Sequence, residues 1–264
     1  MPRPFRLVAL AVIVLVGLLS TGPARAQMEV DLELILAADV SGSMDEEEAA
    51  LQRRGYLEAL VNPRVVRAIQ SGPHRRVALT YLEWAGPHWQ KPLVGWTLVH
   101  DAASARNFAS AIAEEPVVTE RRTSISAAID YSMMLFAKSP FKSKRRVIDI
   151  SGDGPNNRGR NVLLARAEAL AQGVTINGLP IVNDRPNPWG GPGPRNLDVY
   201  YQDNVIGGPG AFMIPALTFR NFGQAILAKL IREIAGIDGP VHVQSAEDIL
   251  DGDDLAHGDT IPPG

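Results

Sequence analysis

The chain alternates short apolar runs with longer stretches of helical period. Residues 32–38 form an apolar run flanked by polar residues, which predicts a buried strand. Asp45-Glu46-Glu47-Glu48 then opens a helix that runs on to Val61, because acidic residues in a first turn complement the helix dipole. Asn62-Pro63 breaks it, and Pro63 opens a short second helix to Gln70. Residues 76–84 and 93–99 predict strands. They lie close together around Gly86-Pro87, so they are expected to pair antiparallel at a sheet edge. Helices follow at 104–115 and 124–137, the second with Ile125, Ala128, Ile129, Ser132 and Phe136 on one face. A strand at 146–150, a helix at 160–172 ended by Gly173, a strand at 174–182 and an amphipathic helix at 219–234 complete the rhythm. Alternating strands and helices imply a doubly wound sheet with helices on both faces.

Three segments depart from this rhythm. The first is the N-terminus. Arg3 and Arg6 precede an uncharged apolar run over 7–19, and Ala24-Arg25-Ala26 places small residues where a signal peptidase reads. This predicts a signal peptide over 1–26 cut after Ala26, and the run is shorter than the roughly 20 residues a membrane span needs. The second is 183–215, rich in proline and glycine. It is expected to hold a long loop, a short helix near 196–205 and a last strand near 211–215. The third is 237–264, acidic and without Lys or Arg, which reads as a flexible tail. The expected folded unit is therefore 27–236.

Composition narrows the function. The formal charge of the full chain is −3, and the signal peptide would remove three arginines from it. A mildly acidic domain without a basic stripe is a poor nucleic-acid binder. There is no cysteine, which excludes disulfides, thiolate metal sites and a cysteine nucleophile. A periplasmic or secreted protein, with no membrane span left after cleavage, fits these features.

The chemistry concentrates in three places. Asp39-Val40-Ser41-Gly42-Ser43 sits where the first strand ends, Thr123 starts a later helix, and Asp153 follows the strand ending at Ile150. Each falls at the C-terminal edge of the sheet, where doubly wound folds bind ligands. All five candidate ligands, Asp39, Ser41, Ser43, Thr123 and Asp153, offer hard oxygen donors suited to Mg²⁺, Mn²⁺ or Ca²⁺. Two carboxylates and three neutral hydroxyls leave such an ion ready for one more anionic oxygen.

Asp-x-Ser-x-Ser after a strand, a distant Thr at a helix start and an Asp-Gly after a later strand resemble the metal-ion-dependent adhesion site of von Willebrand factor A domains. The resemblance covers about residues 30–235. It implies a mostly parallel six-stranded sheet with one antiparallel edge strand, a bound Mg²⁺, and a partner protein that places a carboxylate in the open position. The chain also resembles exported single-domain members of that family from Gram-negative bacteria. Two positions depart from the family pattern. Arg121-Arg122 stands where glycine often precedes the Thr, and Val40 replaces a common glycine.

The leading expectation is thus an exported, metal-dependent protein-binding module without catalytic residues. The alternatives are a Mg²⁺-dependent hydrolase of phosphate esters, for which no nucleophile with a neighbouring base stands out, and a structural domain with no functional metal. Asn156-Asn157 reads as a turn that can also reach the rim of the site. Arg185, Trp189 and Arg195 form either a recognition rim or an ordinary loop. The five histidines have no ligand spacing and read as surface or loop residues. Asp251-Gly252-Asp253-Asp254 lacks the rest of a calcium loop and reads as part of the acidic tail.

Overall fold

The computed structural model describes residues 27–182, 194, 196–217 and 221–236. The expected signal peptide, the tail from 237, Phe219, and Arg185, Trp189 and Arg195 lie outside the described residues.

Five strands form the main sheet: β2 (Glu33–Asp39), β3 (Val77–Trp84), β4 (Gln90–Val99), β6 (Arg146–Gly152) and β7 (Val174–Pro180), in the order β4-β3-β2-β6-β7. All neighbours are parallel except β3 and β4, which form the expected antiparallel edge pair. β4 begins at Gln90, earlier than its apolar run predicts, because Ala85 N–H and Trp89 N–H close the turn around Gly86 and pairing starts at Trp84–Gln90. Every residue of β2 is buried. Leu34, Leu36 and Ala38 face one core, and Ile35 and Ala37 face the other. A strand covered on both faces needs an unbroken apolar run, which is what the sequence carries there.

The helices are α1 (Glu46–Leu60), α2 (Pro63–Ser71), α3 (Ala102–Ala113), α4 (Ile125–Ala137), α5 (Val162–Ala171), α6 (Leu197–Asn204) and α7 (Phe222–Ala235). Their starts follow local chemistry. Asp45 caps α1, and Glu48 returns a bond to Asp45 N–H, completing a capping box. Pro63 is the first residue of α2, with Asn62 as its cap. Asp101 caps α3, so that helix begins before Ser104. One core joins α1, α2, α3 and α7 to the sheet; the other joins α4, α5 and α6. The α1–α7 contact is close: a Cβ on Gly55 would lie 2.9 Å from the Phe222 ring.

Two expectations need correction. A sixth strand near 211–215 does not form; only isolated bridges, Gly178–Met213 and Ile181–Ala216, join that segment to β7. Gly178 N–H donates to Phe212 O at 3.1 Å, and Ala216 N–H donates to Pro180 O at 2.9 Å. Between these bonds the ladder needs a donor from residue 180, and proline has none. The second correction is an addition. β1 (Met28–Glu29) pairs in parallel with β5 (Phe141–Lys142), a two-residue pairing with no apolar periodicity to announce it.

Under α7 lies a buried charge cluster. Lys229 Nζ pairs with Asp149 Oδ1 of β6 at 2.6 Å and with Glu233, all three nearly or fully excluded from solvent. Asn177 Nδ2 donates to Glu233 Oε1 at 2.9 Å, and Asn177 Oδ1 accepts from Phe212 N–H at 3.0 Å. Burial, and then the Glu233 charge, push the Asp149 carboxyl up to about 7 against the pull of Lys229.

Candidate metal centre

β2 and β6 are neighbours in the middle of the sheet, but their chains leave in opposite directions. β2 feeds α1 on one face and β6 feeds α5 on the other. The crevice between their C-terminal ends is a topological switch point, where parallel sheets bind ligands. Asp39 is the last residue of β2, and Asp153 directly follows β6.

Asp39 is fully buried. Its Oδ1 accepts from Ser41 N–H at 2.7 Å, which folds the Val40–Ser41 turn back over the strand end. Its Oδ2 is buried with no hydrogen-bond partner among the described residues. Gln52 of α1 donates from Nε2 to Asp39 O at 2.8 Å. Ser41 Oγ and Ser43 Oγ share a hydrogen bond of 3.0 Å, and Ser43 Oγ donates to Asp153 Oδ1 at 2.6 Å. The structure therefore links Asp39, Ser41, Ser43 and Asp153 in one continuous run across the crevice.

Thr123 arrives from a separate segment. Glu120 N–H donates to Val40 O at 2.8 Å, tying the stretch before Thr123 to the β2 turn. Ser124 N–H donates to Ala85 O at 2.8 Å, and Ser124 caps α4. Asn157 grips Thr123 from both sides: its Oδ1 accepts from Thr123 N–H at 3.1 Å and its N–H donates to Thr123 O at 2.9 Å. Asn156 braces the same junction. Its Oδ1 accepts from Ser126 N–H at 3.0 Å, and its N–H donates to Tyr200 Oη at 3.1 Å. The two asparagines are thus more than a turn, since they fasten the Asp153 loop to the start of α4. Their adjacency to Asp153 was the one sequence signal for this role. Tyr201 had none, yet its buried hydroxyl lies beside the Asp39 carboxyl, and burial, then that charge, push it up.

Ser43, Thr123 and Asp153 open onto a cavity of about 410 Å³, together with Arg121, Arg122 and Pro155. Asp39 and Ser41 are buried and are not among its lining residues. Arg122 holds a left-handed backbone, φ 76°, and Gly86 makes room for this turn: a Cβ there would sit 2.8 Å from Arg121 O.

The electrostatics are those of two carboxyls forced together. Burial, then the Asp153 charge, holds the Asp39 carboxyl well above the usual range, although Ser41 N–H opposes the shift. Burial raises Asp153 to about 6, against the Ser43 hydrogen bond. Among the described residues no three His, Asp or Glu side chains cluster as a metal-binding group. The candidate set relies instead on two carboxylates and three hydroxyls, all hard donors. An oxygen-seeking divalent cation fits this set, and Asp39 Oδ2 offers lone pairs that no hydrogen bond within the described residues uses.

Comparison with solved structures places the fold among von Willebrand factor A domains. Proximal thread matrix protein 1 from the mussel byssus, described with a zinc-occupied MIDAS motif, matches 79% of this chain and 49% of its own length, with a TM-score of 0.59 and 13% identity. The pilus adhesin SpaC from Lactobacillus rhamnosus GG matches 78% of this chain and 31% of its own, with a TM-score of 0.56 and 14% identity. A von Willebrand factor type A protein from Catenulispora acidiphila matches 78% and 43%, with a TM-score of 0.53 and 11% identity. The chain thus corresponds to about half or less of each of these proteins. No curated protein matches the sequence. At the level of sequence families the chain belongs to the one described as protein of unknown function DUF1194, whose model it matches over residues 29–238.

Proposed function

We propose that the protein is an exported, non-enzymatic binding module that engages an acidic group on a protein partner through a divalent cation. Asp39, Ser41, Ser43, Thr123 and Asp153 hold the cation in this reading, Mg²⁺ first, with Mn²⁺ or Ca²⁺ as chemically similar substitutes. The observation that carries it is Asp39 Oδ2, a carboxylate oxygen buried without a partner beside a second buried carboxyl. Such an arrangement is costly unless a positive charge completes it. A bound cation supplies that charge and an open position for one anionic oxygen from outside. Arg121 and Arg122 add positive potential at the same cavity and favour an acidic partner over a basic one. The zinc-occupied motif of the byssus protein and the adhesin role of SpaC support the same reading by analogy of fold.

The functional unit in this proposal is 27–236, preceded by a signal peptide over 1–26 and followed by an acidic tail over 237–264. It is placed in the periplasm or outside the cell. Among the described residues no helix is long and apolar enough to cross a membrane. Calorimetric titration with Mg²⁺ and Mn²⁺ tests the centre of the proposal. One ion per chain is expected for the native protein and none for Asp39→Ala, with both giving the same circular dichroism. Equal metal binding by the two proteins sinks the assignment. Capture of a protein from a periplasmic extract, in Mg²⁺ and again in chelator, tests the bridging role.

A further inference from the structure

A second cavity, of about 420 Å³, lies at the other end of the β3–β4 pair, lined by Gln70, His74, Arg75, Arg76, His100 and Asp101 with Leu98. Val77 pairs with Val99, so Arg76 and His100 sit opposite each other just past the strand ends. The turn that brings the basic residues there is held rigidly. Asp31 Oδ1 accepts from His74 N–H at 2.9 Å, and Asp31 Oδ2 accepts from Arg76 N–H at 3.3 Å. Gly72 leaves room for that carboxylate, since a Cβ on it would fall 2.4 Å from Asp31 Oδ2. Arg75 N–H closes the turn onto Gly72 O at 3.1 Å.

Two features of this turn single out its exposed residues His74 and Arg75. Arg75 adopts a left-handed backbone, φ 54°, a conformation that residues other than glycine rarely adopt. Among the described residues, three non-glycines have positive φ; two are arginines, and each lines one of the two cavities, Arg122 at the first and Arg75 at the second. In addition, the carboxylate that holds the turn, Asp31, and the one that lines the cavity, Asp101, are already engaged. Asp31 accepts the two backbone N–H groups, and Asp101 accepts from Ser104 N–H at 2.7 Å and Ser104 Oγ at 2.6 Å. The Arg75 guanidinium and the His74 imidazole have no hydrogen bond or ion pair with any described residue, whereas Arg76 Nε donates to Glu29 O and His100 lies 3.5 Å from Asp101. A left-handed backbone at a cavity-lining arginine whose guanidinium has no partner among the described residues is the kind of strain that gathers at ligand sites.

We propose that this cavity binds a phosphate-type oxyanion, carried by a soluble phosphate ester or by a lipid headgroup. A planar guanidinium and imidazole N–H groups arriving from separate segments match an anion with several oxygens around one centre. The site is independent of the proposed cation site, because it lies at the opposite end of β3 and shares no residue with it.

The test uses the full chain in chelator, so that no cation can recruit the anion elsewhere. The probes are inorganic phosphate and glycerol phosphate, followed by NMR of the histidine ring protons at fixed ionic strength, and vesicles with and without phosphatidylglycerol, followed by sedimentation. The diagnostic variant is Arg75→Gly. Glycine adopts φ 54° without strain, so the variant keeps or gains stability while losing the guanidinium. Saturable shifts of the His74 and His100 signals, weakened at least tenfold by Arg75→Gly, support a soluble ester. Vesicle binding that requires phosphatidylglycerol and is lost in Arg75→Gly supports a lipid headgroup. Absence of binding in both arms overturns the proposal, and so does binding that Arg75→Gly leaves unchanged.

Discussion

Gly152 carries no side chain where Asp39 needs the room: a Cβ on it would lie 2.9 Å from Asp39 Oδ2 and 2.9 Å from Tyr201 Oη. The last residue of β6 therefore decides whether the last residue of β2 keeps its carboxyl in the crevice. Gly152→Ala is expected to cost about 1–3 kcal/mol through overpacking, and to weaken Mg²⁺ binding more than tenfold by displacing Asp39. Denaturant unfolding and metal titration of the same protein check it. A variant of unchanged stability and metal affinity would show that the close approach is unimportant.

Asp39→Asn is expected to stabilise the protein when chelator is present. The amide oxygen still accepts from Ser41 N–H, while the group can no longer ionise beside the Asp153 carboxyl. The same variant should lose metal binding. This opposition between stability and binding is the signature of a ligand position, and thermal melts with chelator and with Mg²⁺ measure both halves. Lower stability together with retained metal binding would contradict it.

The Asp149 cluster predicts a pH dependence. The carboxyl is raised in the folded state to about 7, so the folded chain holds a proton that the unfolded chain releases near 3.8. Its contribution is fully present below the unfolded value and is lost as pH rises through the folded one. Between about pH 4 and pH 7, the native protein should therefore lose stability relative to Asp149→Asn, whose side chain stays neutral. Urea unfolding of both proteins across that range gives the difference directly. Parallel curves would mean that Lys229 holds Asp149 ionised throughout.

At the cavity mouth, exchanging Arg121 and Arg122 together for Glu should weaken capture of an acidic partner more than it weakens metal binding. Thr123→Ala should weaken both. Capture assays with Mg²⁺ and with chelator separate these effects. Capture that ignores both the chelator and Thr123→Ala would leave the domain a scaffold whose binding surface lies elsewhere.

The parts of this structure that were legible in the sequence are those set by neighbours in the chain. The apolar run before Asp39 announces a strand covered on both faces, and Asp45 to Glu48 announces a capped helix. Asp39, Ser41 and Ser43 are legible as a set because one turn carries them. Other features arise from contacts distant in sequence. β1 and β5 are two residues each and pair across more than 100 positions. Tyr201 reaches the Asp39 carboxyl from α6, and a segment rich in glycine and proline offers no pattern that predicts this. The missing sixth strand was visible only in retrospect, as a single proline in the strand it would have joined. His74 and His100 read as scattered surface residues until antiparallel pairing of β3 and β4 brought them to one cavity.

The double grip of Asn157 on Thr123 has a mechanical consequence. The segment ending at Thr123 and the loop carrying Asp153 are fastened by bonds in both directions, so neither retreats without dragging the other. A load applied at the crevice is shared between them, and through Asp39 and Asp153 it passes into β2 and β6. Those strands run side by side through the middle of the sheet, with six residue pairs in register from Glu33–Arg146 to Ala38–Ser151. Pulling at this edge along the strands would draw both the same way, so the shear would fall on the hydrogen bonds that tie the pair to β3 and β7 and load them together instead of peeling them apart one at a time.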